Sequence, residues 1–411
     1  MVSSYRAIRP RVCYGRRMSP AARLGIQYVW LFGGLGVSLP FAGLWMESRG
    51  LSAAAIGVIL AAPQLARLLT GPLIAVWADG FRLRRSAIAV VFLAAGAAYA
   101  VAALGNGQLW LGVFWFVAAT AAAAAVPLTD TLGLNLARRG GFAFSWPRGM
   151  GSAAFVAANI GAGALIARWG AEVVPIWISA VAVAGALTAL WLLPPSPVGA
   201  SQRKASSRDR YRGMGRLMSD PIFLGAVVAV GLIQASHAVY YAFSAIVWQG
   251  QGYSAQTSGL LWGFSVAVEI AFLWLIDPWR KRRGIGPWTL LVVGAAAGLV
   301  RWGALALEPS LLWLWPLQAL HALTFAATFM ASLELAQTLA PKGAATAAQM
   351  LNSTLSSGVL MGLATVFAGA LFEAAGTLAY FGSAALCGLG LLLAMAVARK
   401  AARPGLPPPH R

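Results

Sequence analysis

Eight residues carry charge or titratable chemistry inside stretches otherwise too apolar to hold it: Arg67, Asp130, Arg148, His237, Glu269, Arg301, His321 and Glu334. A charge at the centre of a membrane helix costs about 2.5–3.5 kcal/mol on insertion scales, so each marks a structural ion pair or a path for solute or protons. Asp130 closes the string VPLTD, Arg148 lies in WPRGMGS, and the turn Arg139-Gly140-Gly141 falls midway between them. Each is about 9 residues from that turn, roughly 13 Å along a helix rising 1.5 Å per residue. An antiparallel hairpin therefore holds carboxylate and guanidinium at one depth. The pair reads either as an ionic tie between two helices or as a clamp for a polar solute, since Arg offers a planar fork of donors to carboxylates and hydroxyls.

Glu269, Arg301 and His321 fall on three successive apolar runs, each about 10–14 residues in, which places them near one depth on helical rise. A carboxylate, a permanent cation and an imidazole there can pass a proton and compensate its charge; they also make a satisfied buried network. His237 stands beside Tyr240 and Tyr241, either packed among aromatic rings or offering a bonding and stacking face to a solute. Arg67 follows Pro63 and Gln64, and is expected to contact solute or to pair with Asp130 or Glu269. Glu334 is expected to snorkel or to pair with Lys342, and Asp277 to sit against the basic run Arg280-Lys281-Arg282-Arg283. Gly294/Gly298 and Gly358/Gly362 read as sites of close helix packing. The two cysteines, Cys13 and Cys387, form no CxxC or Cys/His pattern, so neither a disulfide framework nor a metal or other cofactor is expected. No GxxxxGK[ST] loop supports ATP-driven pumping, and no Ser/His pair sits in a nucleophile motif.

The elements that must position these residues follow from composition. Of 411 residues, 59% are AVILMFWYC and 10% are charged, against roughly 25% charged in soluble domains. Mean hydropathy is +0.73. About 20 apolar residues cross a ~30 Å hydrocarbon core as a helix. Twelve runs qualify, at 24–46, 53–78, 86–104, 108–136, 147–168, 173–193, 222–248, 256–278, 287–307, 311–339, 346–372 and 378–398. They are too long, and lack the two-residue alternation, for membrane strands. The expected fold is an all-α membrane protein of twelve transmembrane helices in two pseudo-symmetric six-helix halves. Its divisions are a basic tail 1–23, a half 24–194, a linker 195–220, a half 221–399 and a tail 400–411. Shifting by 202 residues lays Phe41, Gly50, Ser52 and Gly57 over Phe243, Gly252, Ser254 and Gly259, and Arg67 over Glu269. Paired repeats place a solute site near the midplane between halves.

The formal charge of +20 reads by position rather than as a nucleic-acid signal. Of 31 Lys and Arg, 27 lie in the tails, in the even-numbered connections or just inside the helix that follows. Positive charge collects on the cytoplasmic side, so both tails and the linker are expected there. The first 23 residues lack a secretory signal. Their Arg-rich, Ser-containing composition suits a transit peptide, or an upstream start with Met18 the first residue.

Several strings resemble the phenylpropionate permease branch of the major facilitator superfamily, a group related to lactose permease: LPFAGLW at 39–45, VPLTD at 126–130, QASHAVYYAFSAIVWQGQGYS at 234–254, LVRWG at 299–303 and LQALHALTF at 317–325. The resemblance covers nearly all of the chain after about residue 20. It implies proton symport of a small organic acid of the 3-phenylpropionate type by a monomer in the cell (inner) membrane. Solute, protons and lipid are then the partners, without nucleic acid. GPLIAVWADGFRLRR at 71–85 resembles a degenerate gating motif, with Asp79, Arg84 and Arg85 at its acidic and basic positions and Arg82 replacing a glycine. The likeness to lactose permease implies a solute-binding role for Asp130 and Arg148, 18 positions apart as in that protein, and a coupling role for Glu269, Arg301 and His321. Thr324 stands where lactose permease carries a proton-bearing Glu, and its Asp–Lys pairs are missing, with Tyr240 and Gln318 in one such place. The proton then falls to Glu269 or another acid. A sugar or nucleoside symporter is the alternative to which the Asp130/Arg148 spacing points. A non-transporting membrane sensor or an integral-membrane enzyme is the alternative of another class.

The charge alternation generates a topological prediction. A cysteine placed at Ser206 should react with an impermeant thiol reagent only after the membrane is broken. Labelling in intact cells would reverse the assigned orientation.

Overall fold

The computed structural model describes residues 18–196, 214–341 and 344–402. The N-terminal tail, with Cys13, most of the linker, Lys342 and the last nine residues lie outside the described residues. The regular elements are helices: α1 Pro20–Ser48, α2 Ala53–Asp79, α3 Arg84–Leu104, α4 Gln108–Gly140, α5 Ser145–Trp169, α6 Val173–Trp191, α7 Pro221–Gly250, α8 Ala255–Arg282, α9 Pro287–Leu305 and α10 Leu311–Thr338. A last 57-residue apolar run, Ala345–Ala401, is divided by the tight turn Gly376–Ala379 with Gly376 at φ 55°. It therefore makes two passes, α11 (345–375) and α12 (Tyr380–Ala401). Twelve crossings result, as the run lengths require.

Local chemistry sets the helix starts. Ser19, Ser52 and Ser254 accept from the backbone N–H groups of Ala22, Ala55 and Thr257, and Asp220 accepts from Ile222 and Phe223. Each satisfies donors that a helix start leaves orphaned. Helices outrun the apolar stretches: α4 extends to Gly140 and α8 to Arg282, because backbone bonding in the interface does not stop where the side chains become polar. The linker also begins to fold before residue 220. A short helix, Met214–Ser219, buries Leu217 against Phe223, Ala336 and Ala347.

The repeat is visible in matched detail. Gly50 and Gly252 both take left-handed backbone, at φ 80° and 87°, which costs glycine nothing. Ser52 and Ser254 then cap α2 and α8. One turn on, Gly57 and Gly259 form the crossings between halves, α2 on α11 and α5 on α8. A Cβ on Gly57 would stand 2.8 Å from the carbonyl oxygen of Thr365, and one on Gly259 would stand 2.2 Å from that of Asn159. Gly43 lies as closely against the Ala242 carbonyl of α7, and the Ala54 N–H donates across the halves to Glu373 Oε2 at 2.7 Å. These approaches run from the face opposite the chain ends to about the midplane, where Gly362 packs on Leu65. Beyond the midplane, the termini-bearing half of α2 is exposed at Leu69, Leu73 and Val76. The two halves are thus joined on one face and splayed on the other.

On the joined face Arg49 makes a fork with Glu172, Nε to Oε1 and Nη2 to Oε2 both at 2.6 Å, and donates from Nη1 to Asn106 Oδ1 at 2.9 Å. The hydrogen bond from Arg49 holds the Glu172 carboxyl below its ordinary range. A depressed carboxyl contributes stability above its unfolded pKa and loses it as pH falls through the folded value. With Glu172 half exposed, solvent screening keeps that contribution to about 1 kcal/mol or less.

The glycine crossings generate the next prediction. Cysteines at positions 54 and 373 should cross-link readily in the parent protein. Adding Gly57→Val, whose side chain meets backbone that cannot rotate away, should abolish most of that cross-link while the protein remains membrane-inserted. Undiminished cross-linking would show that the crossing tolerates a side chain.

Candidate functional site

Three helices of the N-terminal half converge on Asp130. Tyr28 of α1 donates its hydroxyl to Asp130 Oδ1 at 2.5 Å, and Arg148 Nε of α5 stands 3.6 Å from the same oxygen. The Arg148 guanidinium lies over the Phe32 ring at 4.2 Å and 5.4 Å from that of Tyr28, a cation–π arrangement. Two glycines make room: a Cβ on Gly151 would stand 2.6 Å from the Phe32 ring, and one on Gly133 would meet Phe144, Leu24 and the Tyr28 hydroxyl. The hairpin arithmetic is met. Both charged side chains remain about one-third exposed, 34% for Arg148 and 31% for Asp130, so the pair is open to a solute. Tyr28 and Phe32 carried no sequence signal as functional residues. They lie in an ordinary apolar run, and only their four-residue spacing puts them on one face.

The C-terminal half holds a closed network around Arg301, which is fully buried. Its Nη1 donates to His321 Nδ1 and to Thr324 Oγ1, both at 3.0 Å, and its Nη2 donates to Gln318 Oε1 at 3.0 Å. Tyr240 donates to the same Gln318 oxygen at 2.9 Å, so the Tyr240–Gln318 pair forms as read. Tyr240 and Trp302 cover the guanidinium at 4.6 and 4.4 Å, and Trp262 stacks on Tyr240 at 4.5 Å.

Donor logic assigns the protons. A guanidinium only donates, so His321 Nδ1 must accept and the ring proton of the neutral form sits on Nε2. That nitrogen faces Glu269 Oε2 at 3.6 Å. His237 Nδ1 meets the Gln234 carbonyl at 3.0 Å and must donate to it. In the neutral ring its Nε2 then accepts from Thr324 Oγ1 at 3.0 Å. Thr324 thereby links Arg301 to His237. His237 is fully buried with both nitrogens engaged, and Tyr240 is fully buried too, whereas Tyr241 is half-buried. Within the expected triad the order is Arg301, His321, Glu269: Arg301 does not touch Glu269 among the described contacts, because His321 stands between them. Helix irregularities surround the network. α7 breaks at Ser236-His237, and π-turns at Phe272–Ile276 and Ala322–Ala327 follow Glu269 and His321; such turns are frequent at functional sites.

Arg67 and Glu334 lie apart from this network. Arg67 pairs with neither Asp130 nor Glu269. It is exposed, without an ion pair or hydrogen bond among the described residues, and lines a cavity of about 390 Å³ between α2 and α4. The reason is azimuth: α2 turns Arg67 toward Pro127 and Thr131 of α4, about 60° and about 100° around that helix from Asp130 at 100° per residue. Glu334 pairs with Arg280, and more loosely with Lys281 at 3.7 Å; Lys342, its expected partner, lies outside the described residues. Asp277 joins them as expected, 2.6 Å from Arg280 and 2.8 Å from Lys281. Of the gating-motif residues, Asp79 and Arg84 line the mouth of the α2/α4 cavity, and Arg85 donates to the Leu193 carbonyl at 3.0 Å.

Comparisons with known proteins bear on the family and the fold. The family model described as MFS_1 like family matches residues 21–382. A probable 3-phenylpropionic acid transporter of Escherichia coli is 30% identical over 353 residues, 85% of this chain and 90% of that protein. A maltose permease of Geobacillus stearothermophilus is 26% identical over 353 residues, 84% of this chain and 86% of that protein. Among solved structures, the nucleoside transporter NupG matches with a TM-score of 0.74 at 17% identity, covering 94% of this chain and 100% of that one. A bacterial homologue of the lysosomal transporter Spinster, inward-facing and unoccupied, matches with a TM-score of 0.74 at 16% identity, covering 92% of this chain and 96% of that one. At such identities the solved structures speak for the fold alone.

The Arg301 network generates a stability prediction. Thr324→Val keeps the shape but strips Arg301 of one acceptor and His237 of its donor. Leaving buried polar groups unpaired costs about 1–3 kcal/mol, to be read as a lowered Tm of the purified protein. Thr324→Ser should keep most of the parent stability. A Val variant as stable as the parent would show that the hydroxyl bridge carries no weight.

Proposed function

The chain belongs to the MFS_1 like family, a group of major facilitator transporters, and from that premise we propose that it is a proton-coupled symporter of a small organic acid of the 3-phenylpropionate type. Its relatives are transporters, not enzymes, and its twelve apolar crossings make it a multi-pass membrane protein. The observation that carries the coupling reading is the placement of Glu269. It is an acid in mid-membrane whose partner is an imidazole Nε2 at 3.6 Å, backed by the permanent charge of Arg301 on the far side of that ring. An acid with one weak partner can gain or lose a proton without dismantling the packing around it.

In this reading both chain ends face the cytoplasm and the splayed face is the inward opening. Asp130 and Arg148 hold the polar end of the solute, with the Arg148 fork free of hydrogen bonds among the described residues. Phe32 and the half-buried Tyr241 offer ring faces to its apolar end. Protonation of Glu269 removes a charge from the midplane as the halves exchange their joined and splayed faces. The relative's printed name supports the aromatic acid. One observation favours the sugar or nucleoside alternative: Asp130 and Arg148 cancel in charge, which suits a hydroxylated neutral solute.

Reconstituted Glu269→Gln should lose proton-driven accumulation of 3-phenylpropionate while retaining exchange at equal pH. Wild-type accumulation by that variant would remove Glu269 from coupling. Arg148→Lys should fail to restore binding, because an ammonium lacks the planar fork. Thermal shift against aromatic acids, sugars and nucleosides separates the substrate classes, since a ligand selective for the native state raises its stability.

A further inference from the structure

The three membrane cations differ in what already answers their charge. Arg301 is sealed, with both terminal nitrogens donating to Gln318, His321 and Thr324. Arg148 is open but stands 3.6 Å from Asp130, so an arriving anion meets a pair with no net charge. Arg67 alone is both exposed and without an ion pair or hydrogen bond among the described residues. An unanswered cation inside a membrane span is expensive, and faces a water-filled cavity or a ligand. Here the cavity between α2 and α4, about 390 Å³, has an apolar lining that includes Ile74, Ala124, Pro127 and Leu128. Thr120, also on its wall, has a buried hydroxyl oxygen with no hydrogen-bond partner among the described residues. Ligand cavities of ~300–1,000 Å³ with mostly apolar walls and a few convergent polar groups are the usual form of a small-molecule site.

We infer that this cavity is a carboxylate subsite, separate from the Asp130/Arg148 pair, in which Arg67 receives the anionic head of an organic acid and the α4 wall receives its apolar body. The remaining charges on the wall are Asp79 and Arg84. Asp79 is 12 residues from Arg67, about 18 Å along α2, so the cavity is charged at its mouth, positive at depth and apolar between. The subsite gives an anionic solute a counter-charge on the splayed side before it meets the neutral pair on the other flank of α4. This rests on the organic-acid reading of the function, and the test below separates the two.

The test uses the full chain with Cys13→Ser, leaving the buried Cys387, and a single new cysteine on the cavity wall, Thr70→Cys or, should that variant fold poorly, Ala123→Cys. In phosphatidylcholine nanodiscs, reaction rates are measured with an anionic sulfonatoethyl and a neutral hydroxyethyl methanethiosulfonate. The ratio of anionic to neutral rate should fall about tenfold on adding Arg67→Gln, in line with electrostatic focusing in a cleft, and recover with Arg67→Lys. The acid 3-phenylpropionate should protect the thiol, and the alcohol 3-phenylpropanol should not. A ratio unmoved by Arg67→Gln overturns the subsite. Protection by added phosphatidylglycerol, with none by any carboxylate solute, assigns the cavity to a lipid headgroup and overturns the solute assignment. A ratio that falls, with protection by hexanoate or benzoate but not by 3-phenylpropionate, upholds the subsite and refutes the phenylpropionate reading.

Discussion

Arg301 carries a permanent charge and five donors, so burying it between α7, α9 and α10 obliges those helices to supply acceptors. Gln318, His321 and Thr324 answer from one stretch of α10, and the Tyr240 and Trp302 rings close over the guanidinium. The obligation propagates. Once His321 Nδ1 is committed to accepting, its proton is fixed on the side of Glu269. Once Thr324 accepts from Arg301, its own hydrogen is free for His237, which passes the constraint to the Gln234 carbonyl and the break in α7. Arg301 Nε and Gln318 Nε2 stay buried without a partner among the described residues, so the acceptors that Arg301 does find are costly to lose, and the geometry of one cation fixes the relation of several helices.

The N-terminal half follows the opposite plan. Its charges are paired across open space rather than sealed: Asp130 takes one strong bond from Tyr28 and a looser approach from Arg148, and both charged groups remain reachable. Low burial keeps the side chains free to exchange partners at little desolvation cost, which the closed half cannot do. One half thus seals its buried cation among hydrogen-bond acceptors, while the other leaves its paired charges within reach of solvent.

The joined face depends on missing atoms. Gly43, Gly57, Gly163 and Gly259 bring backbone onto backbone between the halves, where lipid offers no hydrophobic drive and close van der Waals contact must hold helices together. Because such contacts are shallow and contain few polar bonds, the Ala54–Glu373 bond being an exception, they can part and re-form. The opposite face, bordered by the exposed half of α2, has no such lock among the described residues.

Much of this was legible in the chain. Run length counted the crossings, since hydrocarbon thickness fixes helix length. Helical rise placed Asp130 with Arg148, and Glu269 with Arg301 and His321, because depth along a straight axis follows from residue number. The repeat marked Gly50/Gly252 and Gly57/Gly259 before their roles were visible. What sequence could not supply was azimuth and crossing angle, which depend on how ridges of neighbouring helices pack. Only the tertiary structure turned Arg67 away from both acids, set His321 between Arg301 and Glu269, gave Glu334 to Arg280, and brought Tyr28 and Phe32 from an unmarked apolar run into contact with a charge. Depth is a one-dimensional property that a sequence encodes directly; partnership is decided around the helix, by its neighbours.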